Sequence, residues 1–310
     1  MKQEQRTIHL MGTVIQLWIR HENPTELLEK AEKKLEDFEQ RFSANDAYSD
    51  VNKINQQAGT VPVAVDEDLF ELIQIGKEHS LAKGSALNIA IGPLVQLWRI
   101  GFDDAKLPSE KEIKQRLKLI QPKNILLDEK NRTVFLKKKG MAIDLGALAK
   151  GYFADQILSD FIDEGVESAL VDLGGNVVTY GDGPNHSDGY WRVGIQHPTK
   201  ERGQLASAVK VKNQSIVTSG IYERTFRVAG KRYHHIFDQQ TGYPLETDIA
   251  SITVISDKSV DGEIWTTRLF GQTPQQIIST LDQMPGFSGI VIMEDGRVFY
   301  PKALTEQIIL

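Results

Sequence analysis

No cysteine occurs among the 310 residues of this chain, which excludes disulfides, thiolate metal centres, a thiol nucleophile and a lipid-anchoring Cys at once. No apolar run approaches the roughly 18 residues that a membrane helix needs. The opening Met1-Lys2-Gln3-Glu4-Gln5-Arg6-Thr7 also lacks the apolar centre of a signal peptide. The expectation is a cytoplasmic chain without a membrane span, or else the processed form of an exported protein. A basic surplus is missing too: the net charge is −6, with no basic stripe interleaved with aromatics, so nucleic acid is not an expected partner. The seven histidines include no His-Glu-x-x-His spacing, which argues against a zinc hydrolase. No internal repeat and no Pro/Gly linker divides residues 1–310, which read as a single domain.

What is present alternates between two periods. Thr13 to Arg20 reads as a strand with Ile15, Leu17 and Ile19 on one face. Asn23, Pro24 and Glu26 then have the spacing of a capping box before a helical stripe of Leu27, Leu28, Ala31, Leu35, Phe38 and Phe42. Asp66 opens a second helix running to about Ala82, Ser109 with Glu112 a third, and Thr273 with Gln276 a last one. Gly92-Pro93 fits either a turn or the first turn of a short helix. Hairpins are expected at 125–136, across Gly174-Gly175, across Ala229-Gly230-Lys231-Arg232 and at 290–300, with alternating strands at 191–195, 206–210 and 251–255. Strands and helices mixed without strict alternation give an α+β fold with mixed or antiparallel sheets and packed helices.

The stretch Ala142 to Asp155 carries the strongest chemical signal. An apolar, strand-like pair stops at Asp144, and from Leu148 onward Ala154, Ile157, Leu158 and Phe161 fall at helical spacing. A strand-to-helix junction presents free N–H groups and a positive dipole end, which suits an anion. Lys150 adds a mobile charge one turn in, and Asp144 offers an acceptor. An ordinary β-α turn with a capping Asp and a solvated Lys explains the same letters. Gly174-Gly175 serves equally a close ligand approach or plain packing. His234 to Pro244 is polar where a sheet would continue apolar, and a turn of Asx-type bonds would account for it.

Seven motifs then fall in a familiar order. They are Met11-Gly12-Thr13; Phe42-Ser43 through Asn52 and Asn55; Gly92-Pro93-Leu94-Val95 with Leu97-Trp98; Asp144-Leu145-Gly146 with Ala149-Lys150-Gly151 and Asp155; Gly174-Gly175-Asn176; Thr218-Ser219-Gly220; and His235-Ile236 with Asp238, Thr241-Gly242 and Pro244. Together, over roughly residues 10 to 300, they resemble the ApbE family of FAD:protein FMN transferases, whose fold is related to the T-fold.

The resemblance implies a magnesium-dependent transfer of the FMN half of FAD to a Thr or Ser hydroxyl of an acceptor flavoprotein, with release of AMP. An FAD pyrophosphatase and a non-catalytic flavin-binding protein stay open beside it. By the same resemblance Asp144 and Lys150 contact FAD, and the Ala147 carbonyl ligates the metal. Met11, Asn45, Ala86, Leu87 and Asn88 line the flavin side, and His235 with Ile236 borders the site. The family's metal-binding Asp is followed four residues later by Thr, and Ser259 to Phe270 offers two registers for it. Anchoring on Asp261 puts Trp265 in the Thr position, whereas anchoring on Thr267-x-Leu269-Phe270 puts Glu263 in the Asp position. Glu263 with Thr267 is the preferred pair, because i and i+4 share a helix face. Asp261 is kept as a second carboxylate or base, so that Glu263, Asp261 and His235 form the catalytic set. Two departures from the family stand out: Asn45 replaces an aromatic, and Asn88-Ile89-Ala90 replaces Asp-Pro-Thr.

Overall fold

The computed structural model describes residues 1–201 and 203–309. In chain order it forms β1 (Lys2–Leu10), β2 (Thr13–His21), α1 (Pro24–Phe42), α2 (Asp50–Gln56), β3 (Val63–Ala64), α3 (Glu67–Leu81), α4 (Gly92–Trp98) and α5 (Glu110–Leu117). The hairpin β4 (Ile125–Asp128) and β5 (Thr133–Leu136) leads to α6 (Ala149–Asp163), β6 (Ser168–Leu173), β7 (Asn176–Tyr180), β8 (Trp191–Gln196), β9 (Leu205–Val211) and β10 (Ser215–Gly220). The chain ends with β11 (Thr225–Val228), β12 (Lys231–His234), β13 (Ile249–Ser256), α7 (Ser259–Arg268), α8 (Pro274–Asp282), β14 (Ser288–Met293), β15 (Val298–Phe299) and β16 (Ile308–Ile309).

Eight strands build the main sheet in the order β1-β2-β6-β7-β10-β13-β14-β15, and its pairings are antiparallel, as expected of the α+β class. On one face Ile15, Leu17 and Ile19 of β2 meet Leu28, Leu35 and Phe38 of α1 and Phe153 and Ile157 of α6. The opposite face is covered by Trp191, Val193 and Val209 from the small sheet β16-β9-β8. β13 lies between layers, which is why all eight of its residues are buried and the expected polar-apolar alternation fails at Ser251 and Thr253. The Thr253 hydroxyl is accommodated inside the sheet, its Oγ1 lying 2.9 Å from Thr218 Oγ1.

Three local expectations change. β1 is a nine-residue strand that the polar letters Lys2 to Leu10 did not announce, because it is an edge strand paired to β2 alone and half wetted. The capping boxes of α5 and α8 form, but α1 begins at Pro24 without a side-chain cap from Asn23, whose N–H instead meets the His21 ring at 3.2 Å. Asp66 likewise gives α3 no side-chain cap, its carboxylate pairing with Arg41 at 3.2 Å. Of the two readings of Gly92-Pro93, the helix start holds, with α4 opening there.

Candidate active site

The strand expected at Ala142 to Asp144 is absent; the segment is extended, but its partner is a side chain. Asn55 accepts the Ile143 N–H at 2.7 Å and donates to the Ile143 carbonyl at 3.1 Å, and the Asp144 N–H donates to Ile89 at 2.9 Å. One amide thus does the work of a neighbouring strand. Asp144 then accepts the Gly146 N–H at 2.8 Å, and the N–H groups of Leu148 and Ala149 both donate to the Leu145 carbonyl. This turn starts α6, with Lys150 and Gly151 in its first turn.

α6 and α7 cross at Gly151, where a Cβ would stand 2.5 Å from the Ser259 carbonyl oxygen, so no larger residue fits. Each helix caps the other. Asp155 of α6 accepts the N–H groups of Ser259 and Val260 at 2.7 and 2.9 Å. Glu263 of α7 accepts the Gly151 N–H and the Asn176 amide, the latter at 2.5 Å. Two positive helix ends are therefore held side by side, each already facing a carboxylate.

Burial raises the Glu263 carboxyl above the ordinary range, against the pull of Lys150, Asn176 and Gly151. Burial also lifts Asp155 to about 6, with the Asp261 charge adding to it and its two N–H bonds opposing. Asp261 is raised by burial as well, and Lys258 and His79 hold it down in part. Residues two apart on a helix point roughly 200° away from each other. Accordingly Glu263 faces Lys150 and Asn176, whereas Asp261 interacts with Lys258 and His79.

His235 closes the other side. Its Nδ1–H donates to the Arg224 carbonyl at 3.3 Å, which leaves the Nε2 lone pair unprotonated. Burial, with Arg224 and Lys150 behind it, lowers its pKa to about 4. Lys150 thus lies within electrostatic reach of both Glu263 and His235. The sign for stability follows by linkage: an unfolded chain binds a proton on this ring near pH 6.5, and the native chain only near 4. His235 therefore withdraws stability as pH falls through that window, while Asp155, titrating in the native state near 6 instead of 3.8, adds stability as pH falls. His235→Gln is expected to flatten the acid-side decline of the urea midpoint between those pH values relative to the parent; parallel curves would contradict it.

The residues that the resemblance sets on the flavin side lie in separate loops: the β1–β2 turn, the loop after α1, the loop after α3 and the turn after β12. Met11 and Gly12 both have positive φ, 54° and 68°, in the two-residue turn joining β1 to β2, and the Met11 N–H is held by Glu39 at 2.6 Å. That turn lies against the next one, since a Cβ on Gly174 would stand 2.1 Å from Thr13 Oγ1. Packing alone thus explains Gly174, whereas Gly175 borders open space. Asn45 is exposed in the loop after α1, shaped by Asn52 donating to the Ala44 and Asp46 carbonyls at 3.0 and 2.6 Å. Ala86 is partly buried, and Leu87 and Asn88 are buried; the Asn88 amide is engaged with Ile120 and Ala90 at 2.8 Å each. Ile236 is a core residue, with Ala86 packed against the same cluster. Asn55, Asp155 and Asn176 were visible in the motifs but had no role there; their work as clamp, helix cap and carboxylate holder emerges only from contacts about 90 to 100 residues apart.

Among the described residues no group of three or more His, Cys, Asp or Glu gathers as a metal cluster. Oxygen donors of the kind a hard divalent cation takes are offered by Glu263, Thr267 and the Ala147 carbonyl. Gly151, the i+4 residue whose N–H would normally bond the Ala147 carbonyl, donates to Glu263 instead, so that carbonyl lacks its helical donor beside a buried carboxylate. Thr267, partly exposed, follows one turn after Glu263 on α7. The donor set, all oxygen and poor in charge, fits a cation that shares its ligands with a phosphate. No helix among the described residues is long and apolar enough to cross a membrane.

The model of the ApbE family matches residues 11–291 of the chain. An FAD:protein FMN transferase of Klebsiella pneumoniae is 41% identical over 286 residues, covering 92% of this chain and 88% of that protein. One from Treponema pallidum is 35% identical over 304 residues, covering 93% and 84%. The crystal structure of the ApbE protein of Thermotoga maritima superposes with a TM-score of 0.88 at 29% identity, covering 99% of both chains.

Proposed function

The chain belongs to the ApbE family, and from that premise we propose that it is a magnesium-dependent FAD:protein FMN transferase. The reading rests above all on the buried Glu263 carboxylate, fixed by Asn176 and Gly151 and set against Lys150 at the crossing of α6 and α7. A carboxylate kept ionisable in a desolvated site is costly unless a cation is to be held there.

Magnesium would be held by Glu263, Thr267 and the Ala147 carbonyl, and when bound it supplies positive charge to the pyrophosphate of FAD. The other steps belong to the chain's own residues. Lys150 neutralises phosphate oxygens at the N-terminus of α6, and the loop containing Ala86 and Leu87, with Met11, receives the flavin. The acceptor's Thr or Ser oxygen forms a bond to the FMN phosphorus as the bond to the AMP oxygen breaks. The hydroxyl proton passes to Nε2 of His235, the ring atom left free by the Arg224 bond. A base with a pKa of about 4 takes that proton late, once the new P–O bond has acidified the hydroxyl. Asp144, Asn45, Asn88 and Ile236 shape the surrounding loops, and Asp261 assists from the other face of α7.

The test is incubation with FAD, magnesium and a flavoprotein carrying a Thr or Ser acceptor site. Flavin fluorescence is expected on the denatured acceptor, with one AMP released per flavin attached and none with chelator present. Free FMN and AMP without labelled acceptor would identify a pyrophosphatase instead. Binding without AMP would leave a flavin carrier.

A further inference from the structure

Gln239 lies in the turn after His235, a turn stiffened by Asp238, whose carboxylate accepts the Gln240 N–H at 2.7 Å and whose carbonyl accepts the Gly242 N–H at 2.8 Å. From there its side chain reaches across more than 150 positions of sequence. Nε2 donates toward the carbonyls of Ser85, Ala86 and Leu87 at 3.2, 2.9 and 3.3 Å, and Oε1 accepts the Asn88 amide at 3.1 Å. Two N–H protons are thus shared among three convergent carbonyls, a point that accepts a donor and repels an oxygen. On its other side the loop is tied to α7, the Ala86 N–H donating to the Arg268 carbonyl at 3.2 Å. The segment 85–88 is therefore suspended between the helix of Glu263 and the turn of His235.

We propose that Gln239 is a positioning residue: it fixes the 85–88 loop against the His235 turn and so sets where the flavin ring sits relative to the phosphates. The inference rests on the flavin-transfer reading above and deepens it. Gln239 touches neither the phosphates' lysine nor the buried carboxylate, and no charge is brought to the flavin side, because both members of the Gln239–Asn88 pair are neutral amides. Selectivity for the isoalloxazine half of FAD, rather than for its adenosine pyrophosphate half, is what this side chain governs.

The experiment uses the whole chain and two ligands that share the adenosine pyrophosphate, FAD and ADP-ribose, with magnesium present. Gln239→Glu places a carboxylate oxygen against the three carbonyls, while Gln239→Met keeps the length and removes the donor without repulsion, so that one folded variant is secured. In either variant FAD is expected to bind on the order of tenfold more weakly, and ADP-ribose within about twofold of the parent. In the AMP-release assay KM for FAD should rise by more than kcat falls. A folded Gln239→Met variant that binds FAD like the parent, or that loses both ligands equally, overturns the role. A parent protein that binds FAD no better than ADP-ribose, or releases no AMP, contradicts the flavin-transfer reading itself and with it this inference.

Discussion

Magnesium-dependent release of AMP from FAD is expected to fall on the order of a hundred- to a thousand-fold when Glu263 is replaced by glutamine. The change keeps the volume and leaves one oxygen to accept from Asn176 or Gly151, so the crossing of α6 and α7 persists. What disappears is the charge. Because burial raises the carboxyl and only Lys150, Asn176 and Gly151 oppose it, the native protein carries a desolvation cost at this position. Glu263→Gln removes that cost, and thermal stability should hold or rise while turnover collapses, the pattern of a side chain kept for chemistry rather than for folding. Asp261→Asn is the control on the same helix. Its carboxylate interacts with Lys258 and His79 on another face, and its loss should stay within about tenfold. Turnover of Glu263→Gln near the parent's, or an Asp261→Asn effect larger than that of Glu263→Gln, would reverse the choice between the two carboxylates.

Lys150→Ala carries the second large effect, a loss in turnover of roughly a hundred-fold, since one donor aimed at developing phosphate charge is removed. It also has a signature apart from activity. Lys150 lowers the pKa of both Glu263 and His235 in the native state. In the Ala variant both groups should therefore titrate at higher pH, and the His235 ring is the one to follow by NMR. An unmoved His235 titration would place the lysine away from the cluster, whatever its kinetic effect.

The motifs of this chain announced the loops at the site better than they announced what those loops are made of. The helical stripe of α1 and the capping boxes at Ser109 and Thr273 are local patterns, and they formed as written. Asn23 and Asp66 have the letters of caps as well, yet neither side chain caps its helix; the Asp66 carboxylate is drawn to Arg41, a partner 25 positions away that no local rule includes. Ala142 to Asp144 has the apolar letters of a strand, but Asn55 supplies the bonds that a strand would, and a side chain in that role leaves no periodicity to read. The same limit explains Gln239, one of two adjacent glutamines in a polar turn, whose role depends wholly on the carbonyls of residues 85 to 87. Lys150 drew notice as a lone charge at an apolar helix start, whereas Glu263 was singled out only through the family resemblance, whose carboxylate and Thr stand four residues apart on one helix face.

The reciprocal capping of α6 and α7 also dictates when this site comes into being during synthesis. Asp155 waits for Ser259, 104 residues further along, and Asn176 waits for Glu263, 87 further. A ribosome has finished most of the chain, with Lys150 long since exposed, before the helix that completes the pair leaves the exit tunnel. Chains that stall or are cleaved before α7 hold the lysine but neither the carboxylate nor the second helix end. Such fragments cannot assemble the crossing at Gly151, because the Ser259 and Glu263 atoms packed against it are not yet made.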